Sequence, residues 1–208
     1  MIKVFARRIA VTMGTQLQAD RDRVEIFAYG LEIIIGTFVQ LTLLLLSSII
    51  MDTFITTMIC LTAFASLRYF GGGVHLSTYY RCSAIGVSLL LGLGKLAAID
   101  LSFKPLIVIS LSALLLGTYT ISRWAPAGTE KKQIKDELIR LRQRKKAFLV
   151  LTVWSVITTV LIKQELNADA FAAVLGVFGS LFLITPWGYR AVKALDNILN
   201  IIVRGCKR

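Results

Sequence analysis

The chain has 208 residues, 56% of them hydrophobic and only 17% charged, with a mean hydropathy of +0.71. This content excludes an ordinary soluble domain; long apolar runs almost free of charge describe a protein whose solvent over most of its length is lipid. The formal net charge is +12, from 24 Lys and Arg against 12 Asp and Glu. In a soluble chain that excess would suggest nucleic acid, but here it reads as basic loops facing anionic headgroups, so membrane lipids are the expected partner and nucleic acid is not.

Residues 1–20 carry Ile2, Phe5, Ile9, Thr12, Met13 and Leu17 at helical spacing among Lys3, Arg7 and Arg8, which predicts an amphipathic helix on the membrane surface rather than a signal peptide. A first apolar segment runs from about Phe27 to Met51 and a second from Thr53 to Leu67, the latter short for a span of about 20 residues. After a polar, glycine-rich interval, the third covers Ser83 to Ile99. Asp100 to Lys104 form a tight turn, and Pro105 opens the fourth, which ends near Ser122. In the next loop Ile134, Leu138 and Leu141 recur among Lys131, Lys132, Lys135, Arg140, Arg142 and Arg144. A basic helix lying on the membrane is expected there, placed to steer an acidic peptide. The fifth segment covers Phe148 to Ile162 and the sixth Ala170 to Trp187, with Pro186 near its end. In the final stretch Val192, Leu195, Leu199 and Ile202 share one face, as an interfacial helix would. The expectation is an all-α integral membrane protein, a single domain over residues 1–208. It has six transmembrane segments, with interfacial amphipathic helices at the N-terminus, in the fourth-to-fifth loop and at the C-terminus.

Six spans place 21 of the 24 Lys and Arg on one side, leaving Lys104 and Lys163 opposite and Lys95 within the third span. Positive-inside bias assigns that side to the cytoplasm, with both termini and the segment 68–82. No internal or inverted repeat is visible.

The segment from Arg68 to Cys82 carries the chemistry. Gly71, Gly72 and Gly73 interrupt any helix, His75 is the only histidine in the chain, and Cys82 stands seven residues beyond it. An imidazole beside a thiol is the minimum equipment for nucleophilic catalysis, since it takes the thiol proton and holds the thiolate. Arg68 and Arg81 add positive potential, and backbone N–H groups of the glycine run or of the third span's start would form an oxyanion hole. On one straight helix the two side chains would stand about 10.5 Å apart along the axis, so a working pair requires the chain to fold back between Val74 and Tyr80. Glu32, an acid inside the first span, is the candidate for a third, orienting group; pairing with Lys95 or Arg68 is its alternative. One histidine and one cysteine are too few for a metal site, and no cofactor is expected. On the residues alone a transporter with a re-entrant glycine gate and a non-catalytic membrane adaptor stay open, although the scarcity of charge within the spans disfavours the transporter.

The order Arg68, Gly72-Gly73-Val74-His75 and Cys82 resembles the accessory gene regulator B (AgrB) family, membrane cysteine endopeptidases of Gram-positive quorum sensing. Tyr29-Gly30-Leu31-Glu32 and Trp124-Ala125-Pro126-Ala127 followed by Glu130-Lys131-Lys132 are similar as well. The resemblance implies Cys82 as nucleophile and His75 as its base, with Arg68, Gly72 and Gly73 supporting them. It also implies a short precursor peptide (AgrD-type) whose C-terminal tail is removed and whose remainder is closed to a thiolactone or lactone, a homodimer, and the cell membrane of a Gram-positive bacterium. Arg81, Lys131 and Lys132 are the residues expected to steer that peptide.

Overall fold

The structure, a computed structural model, describes residues 2–99, 101–128 and 136–205, with side chains described through residue 201. The described residues form eight helices and no strand: α1 (Ile2–Gln16), α2 (Arg21–Ile50), α3 (Phe54–Gly71), α4 (Tyr79–Ala97), α5 (Phe103–Trp124), α6 (Glu137–Lys163), α7 (Asn167–Ile184) and α8 (Pro186–Gly205). Five of them, α2, α3, α5, α6 and α7, are long and apolar enough to cross a membrane. α4 falls short of that standard, because its 19 residues include Tyr79, Tyr80 and Arg81 at one end and Lys95 at the other. The chain divides into two compact units, Met1–Ser47 and Ser48–Arg208.

In the first unit α1 buries the small residues Ala6, Ala10 and Gly14, spaced four apart and so on one face. A side chain at Gly14 would collide with Val24, so the backbone of α1 lies close against the start of α2. Asp20 caps α2, its carboxylate accepting from Arg23 N at 2.9 Å. Phe5, Met13 and Leu17 remain exposed, leaving an apolar surface for lipid.

The second unit is built around α7, the most buried helix. Ala170, Ala172, Ala173, Gly176 and Ser180 are small enough for α3 to approach closely. A Cβ at Gly176 would collide with the Cys60 carbonyl oxygen and stand 2.9 Å from Ala63 Cβ. Small residues at such crossings are how helices associate in lipid, where the hydrophobic effect between helices is weak. Leu67, Ala113, Ile121, Ala147, Leu151, Val177 and Leu181 complete the core from α3, α5, α6 and α7, and Trp154 Nε1 donates to Ser66 Oγ at 2.8 Å across it. Thr56 Oγ1 donates to Gly94 O at 2.9 Å, joining α3 to α4. Outward-facing Val108, Leu111, Leu115, Val153, Val156 and Val160 are exposed, as lipid-facing residues are.

Two expectations need correction. The basic stretch after the fourth segment was expected to lie on the membrane as a helix of its own. Its described part, from Glu137, is instead the first turns of the helix that contains the fifth segment. Asp136 caps that helix, accepting from Leu138 N at 2.9 Å; thereafter no Gly or Pro interrupts it to Lys163, and Arg, Lys, Gln and Leu are good helix formers. At about 40 Å, α6 exceeds a bilayer core of about 30 Å. The sixth segment ends at Ile184 rather than Trp187, and Pro186, expected inside it near its end, instead opens α8. A first-turn position suits proline because its missing N–H has no helical partner there. Lys131 and Lys132 lie outside the described residues.

Candidate functional site: a Cys–His pair folded between two helices

α3 ends where its glycines allow a conformation closed to other residues. Gly72 has φ 73° and ψ −150°, and Gly73 has φ 133°; both lie in regions that L side chains avoid. Space reinforces the requirement. A Cβ on Gly72 would collide with the Ala127 carbonyl oxygen, and one on Gly73 would stand 2.6 Å from Arg68 Nη1 and 3.0 Å from Leu183 O. The glycine run thereby lies against the segment after α5 as a short parallel bridge between Gly72 and Ala127. Ala127 N donates to Gly71 O at 2.8 Å, Gly73 N to Ala127 O at 3.0 Å, and Val74 N to Leu183 O at 3.2 Å. Arg144 Nε donates to Ala125 O at 2.9 Å and Tyr189 Oη to Gly128 O at 2.9 Å, so α6 and α8 hold the second side of this cradle.

Beyond Val74 the chain turns back and α4 begins at Tyr79, which places Cys82 in its first turn. The fold-back brings His75 Nδ1 to 3.7 Å from Cys82 Sγ, a separation a straight helix would not permit. Arg68, from the last turn of α3, completes the group. Its Nη2 lies 3.3 Å from His75 Nε2 and also donates to Val74 O. A guanidinium has no acceptor, so Nε2 takes its hydrogen bond and the neutral ring carries its proton on Nδ1, facing the sulfur. Burial, followed by the Arg68 charge, holds His75 below the usual imidazole range. The ring is therefore neutral at physiological pH, and the local positive charge belongs to Arg68. A thiolate at Cys82 would meet an Nδ1–H donor, that cation across the ring, and the positive end of α4. Thr78, at the cap position of α4, makes no side-chain capping bond, which leaves first-turn N–H groups free of that partner.

Among the predicted residues, the structure brings Arg68, Gly72, Gly73, His75 and Cys82 together. Arg81 is adjacent but engaged: its Nη1 lies 3.1 Å from Asp196 Oδ1 and donates to Asn200 Oδ1 at 2.7 Å. Glu32 stands on α2, in the N-terminal unit. The group bonded to the far nitrogen of His75 is a guanidinium, whereas the sequence had suggested a carboxylate. Sequence reasoning missed Ser77, Asp196 and Asn200 altogether. One signal was available: Asp196 is the only acid between Pro186 and Arg208, and Asn200 follows it by one helical turn.

These features define a helical membrane protein with a cysteine–histidine pair at a break between two helices. The accessory gene regulator B family profile matches residues 6–185, and the chain belongs to that family. AgrB-like protein 2 of Clostridium perfringens strain 13 is 23% identical over 211 residues, covering 96% of this chain and 99% of the relative. An AgrB-like protein of Clostridium perfringens strain SM101 is 24% identical with the same coverage. The accessory gene regulator protein B of Staphylococcus aureus strain Newman is 28% identical over 136 residues, 65% of this chain and 69% of that protein. No solved structure matches the chain significantly.

Proposed function

We propose that the protein is a membrane cysteine endopeptidase. It removes the C-terminal tail of a short quorum-sensing precursor peptide and promotes closure of the remainder to a thiolactone or lactone. The observation that carries this is the 3.7 Å approach of His75 Nδ1 to Cys82 Sγ, produced by a chain reversal that the glycine run makes possible. Family membership supplies the substrate class.

In the first step the ring releases Arg68 and holds its own proton on Nε2, the Cys82 thiol gives its proton to His75 Nδ1, and the sulfur attacks the carbonyl carbon at the tail junction so that an S–C bond forms. First-turn N–H groups of α4 are the donors assigned to the developing oxyanion. The C–N bond then breaks, and the leaving nitrogen takes that same proton from His75 Nδ1. The peptide is left as a thioester on Cys82. A Cys or Ser of the peptide next attacks this thioester; a new S–C or O–C bond replaces the bond to Cys82, and the proton lost by that nucleophile passes through His75 to the Cys82 sulfur. Protons balance over the cycle: the thiol proton given to the tail amine is replaced on Cys82 by the one lost in ring closure. Exclusion of water by the surrounding lipid and helices favours ring closure over hydrolysis.

In this account α4 crosses the bilayer as a sixth span, both termini and the 68–82 segment are cytoplasmic, and α1 and α8 lie at the interface. The clustering of 21 of 24 basic residues supports that arrangement. The test is co-expression with a candidate precursor, reading products by mass spectrometry. Wild-type protein should release the tail, and Cys82→Ala and His75→Ala should not. Full cleavage by Cys82→Ala would overturn the proposal.

A further inference from the structure

Residues 75–77 form no backbone–backbone hydrogen bond with the rest of the described chain, yet this short stretch must hold His75 within reach of Cys82. Apart from the Arg68–His75 contact, its side-chain anchors come from α8. Asp196 Oδ1 accepts from Ser77 Oγ at 3.0 Å and from Arg81 Nη1 at 3.1 Å, and Asn200 Oδ1 takes the same guanidinium nitrogen at 2.7 Å. Ser77 lies two residues after His75, and Arg81 directly precedes Cys82. A single carboxylate oxygen therefore ties together the two ends of the segment that separates the reacting groups.

We propose that Asp196 is a positioning residue for the Cys82–His75 pair, acting through Ser77 and Arg81, and that α8 serves to present it. This rests on the peptidase proposal above for its consequence in processing, but not for its geometry. The Arg81–Asp196 ion pair is well sheltered, with side-chain exposures of 18% and 16%. The hydroxyl of Ser77, and then Arg81, hold the Asp196 carboxyl below its usual range, so the clamp is ionised at neutral pH. α8 is built to stay at the membrane surface while it does this. Tyr189, Val192, Asp196 and Leu199 face the protein, half-buried, whereas Trp187, Ala191, Ala194, Ile198 and Ile201 form an exposed stripe on the opposite side at helical spacing. That stripe suits the acyl–headgroup boundary, and Arg190 and Lys193 stand beside it. The family profile match ends at residue 185, one residue before α8 begins, so Ser77 and Arg81 lie inside the matched region and Asp196 and Asn200 outside it.

The experiment uses the full chain in lipid nanodiscs and reads two quantities for wild type, Asp196→Ala, Asp196→Asn and His75→Ala. The first is the rate of Cys82 alkylation by iodoacetamide between pH 6 and 9 (conditions on the order of those in which thiols titrate), assigned by peptide mass. The second is hydrogen exchange of the peptide covering residues 75–81. Asp196→Ala should slow Cys82 labelling at neutral pH about tenfold, toward the His75→Ala rate. It should also speed exchange of that peptide, with helix content unchanged. Asp196→Asn keeps an acceptor for Ser77 but loses the charge facing Arg81, and should fall between; it decides the matter if the alanine variant does not fold. Wild-type labelling together with wild-type exchange in either folded variant overturns the proposal. A wild-type labelling rate in His75→Ala would instead refute the Cys–His pair, and the exchange result would then decide the clamp alone.

Discussion

Replacing Gly72 with alanine tests the cradle that turns the chain back toward Cys82. The added methyl would collide with the Ala127 carbonyl oxygen, on a residue whose φ of 73° and ψ of −150° suit glycine alone. Holding alanine there costs about 1–3 kcal/mol in backbone strain. Moving away instead breaks the Ala127 N to Gly71 O and Gly73 N to Ala127 O bonds, of 2.8 and 3.0 Å, each contributing about 0.5–1.5 kcal/mol. Either route costs ~1–3 kcal/mol, and the lower end already shifts the balance toward a displaced segment about fivefold. Gly92→Ala is the matched control, because a Cβ at Gly92 meets nothing within 4 Å and alanine is the better helix former. Thermal unfolding and Cys82 alkylation in micelles read the outcome. Gly72→Ala should lose both melting temperature and labelling rate, while Gly92→Ala keeps both. Equal behaviour of the two variants would refute the cradle and the fold-back built on it.

Three further outcomes are expected. Because the chain has a single histidine, isotope-labelled imidazole gives one NMR titration. His75 should titrate below the ordinary value of about 6.5, and Arg68→Gln should raise its midpoint by removing the opposing charge; an unchanged or lowered midpoint would contradict the Arg68–His75 contact. The sign for stability follows: a depressed imidazole favours the folded state above the unfolded value, and that contribution disappears as pH falls through the folded one. Gly176→Ala should destabilise by about 1–3 kcal/mol, since its methyl would collide with the Cys60 backbone oxygen; a wild-type melting temperature would show that α3 and α7 can separate freely. Ser66→Ala should cost about 1–3 kcal/mol by leaving the Trp154 indole N–H without its 2.8 Å partner, checked by the same melt.

What the sequence disclosed depended on how local each feature was. Apolar runs between charged ends located α2, α3, α5 and α7 within a few residues, because hydropathy is a property of contiguous chain. The same cue misjudged α6. Hydropathy begins at Phe148, but backbone helicity begins at Glu137, where Asp136 caps it. Pro186 was ambiguous for a related reason, since a proline after an apolar run both ends one helix and opens the next. The spacing of His75 and Cys82 made a reversal the condition for any pair, since seven helical residues separate the groups too far, and the chain does turn back there. The partner of Gly72 was not legible. Ala127 is 55 positions away, and only the folded chain reveals that the Trp124–Ala127 segment is the edge against which the glycines lie. Asp196 was hidden in the same way: a polar residue on an amphipathic helix looks solvated until Ser77 and Arg81 are seen to face it.

The central claim is that Cys82 becomes acylated by its peptide. Mixing purified protein with a precursor that lacks its internal Cys or Ser removes the ring-closing nucleophile and should trap the intermediate. Mass spectrometry should then find the truncated peptide attached to the fragment containing Cys82. The adduct should be released by hydroxylamine and be absent from Cys82→Ala and His75→Ala. Tail release from that precursor with no adduct on Cys82, or at an undiminished rate in Cys82→Ala, would contradict the account.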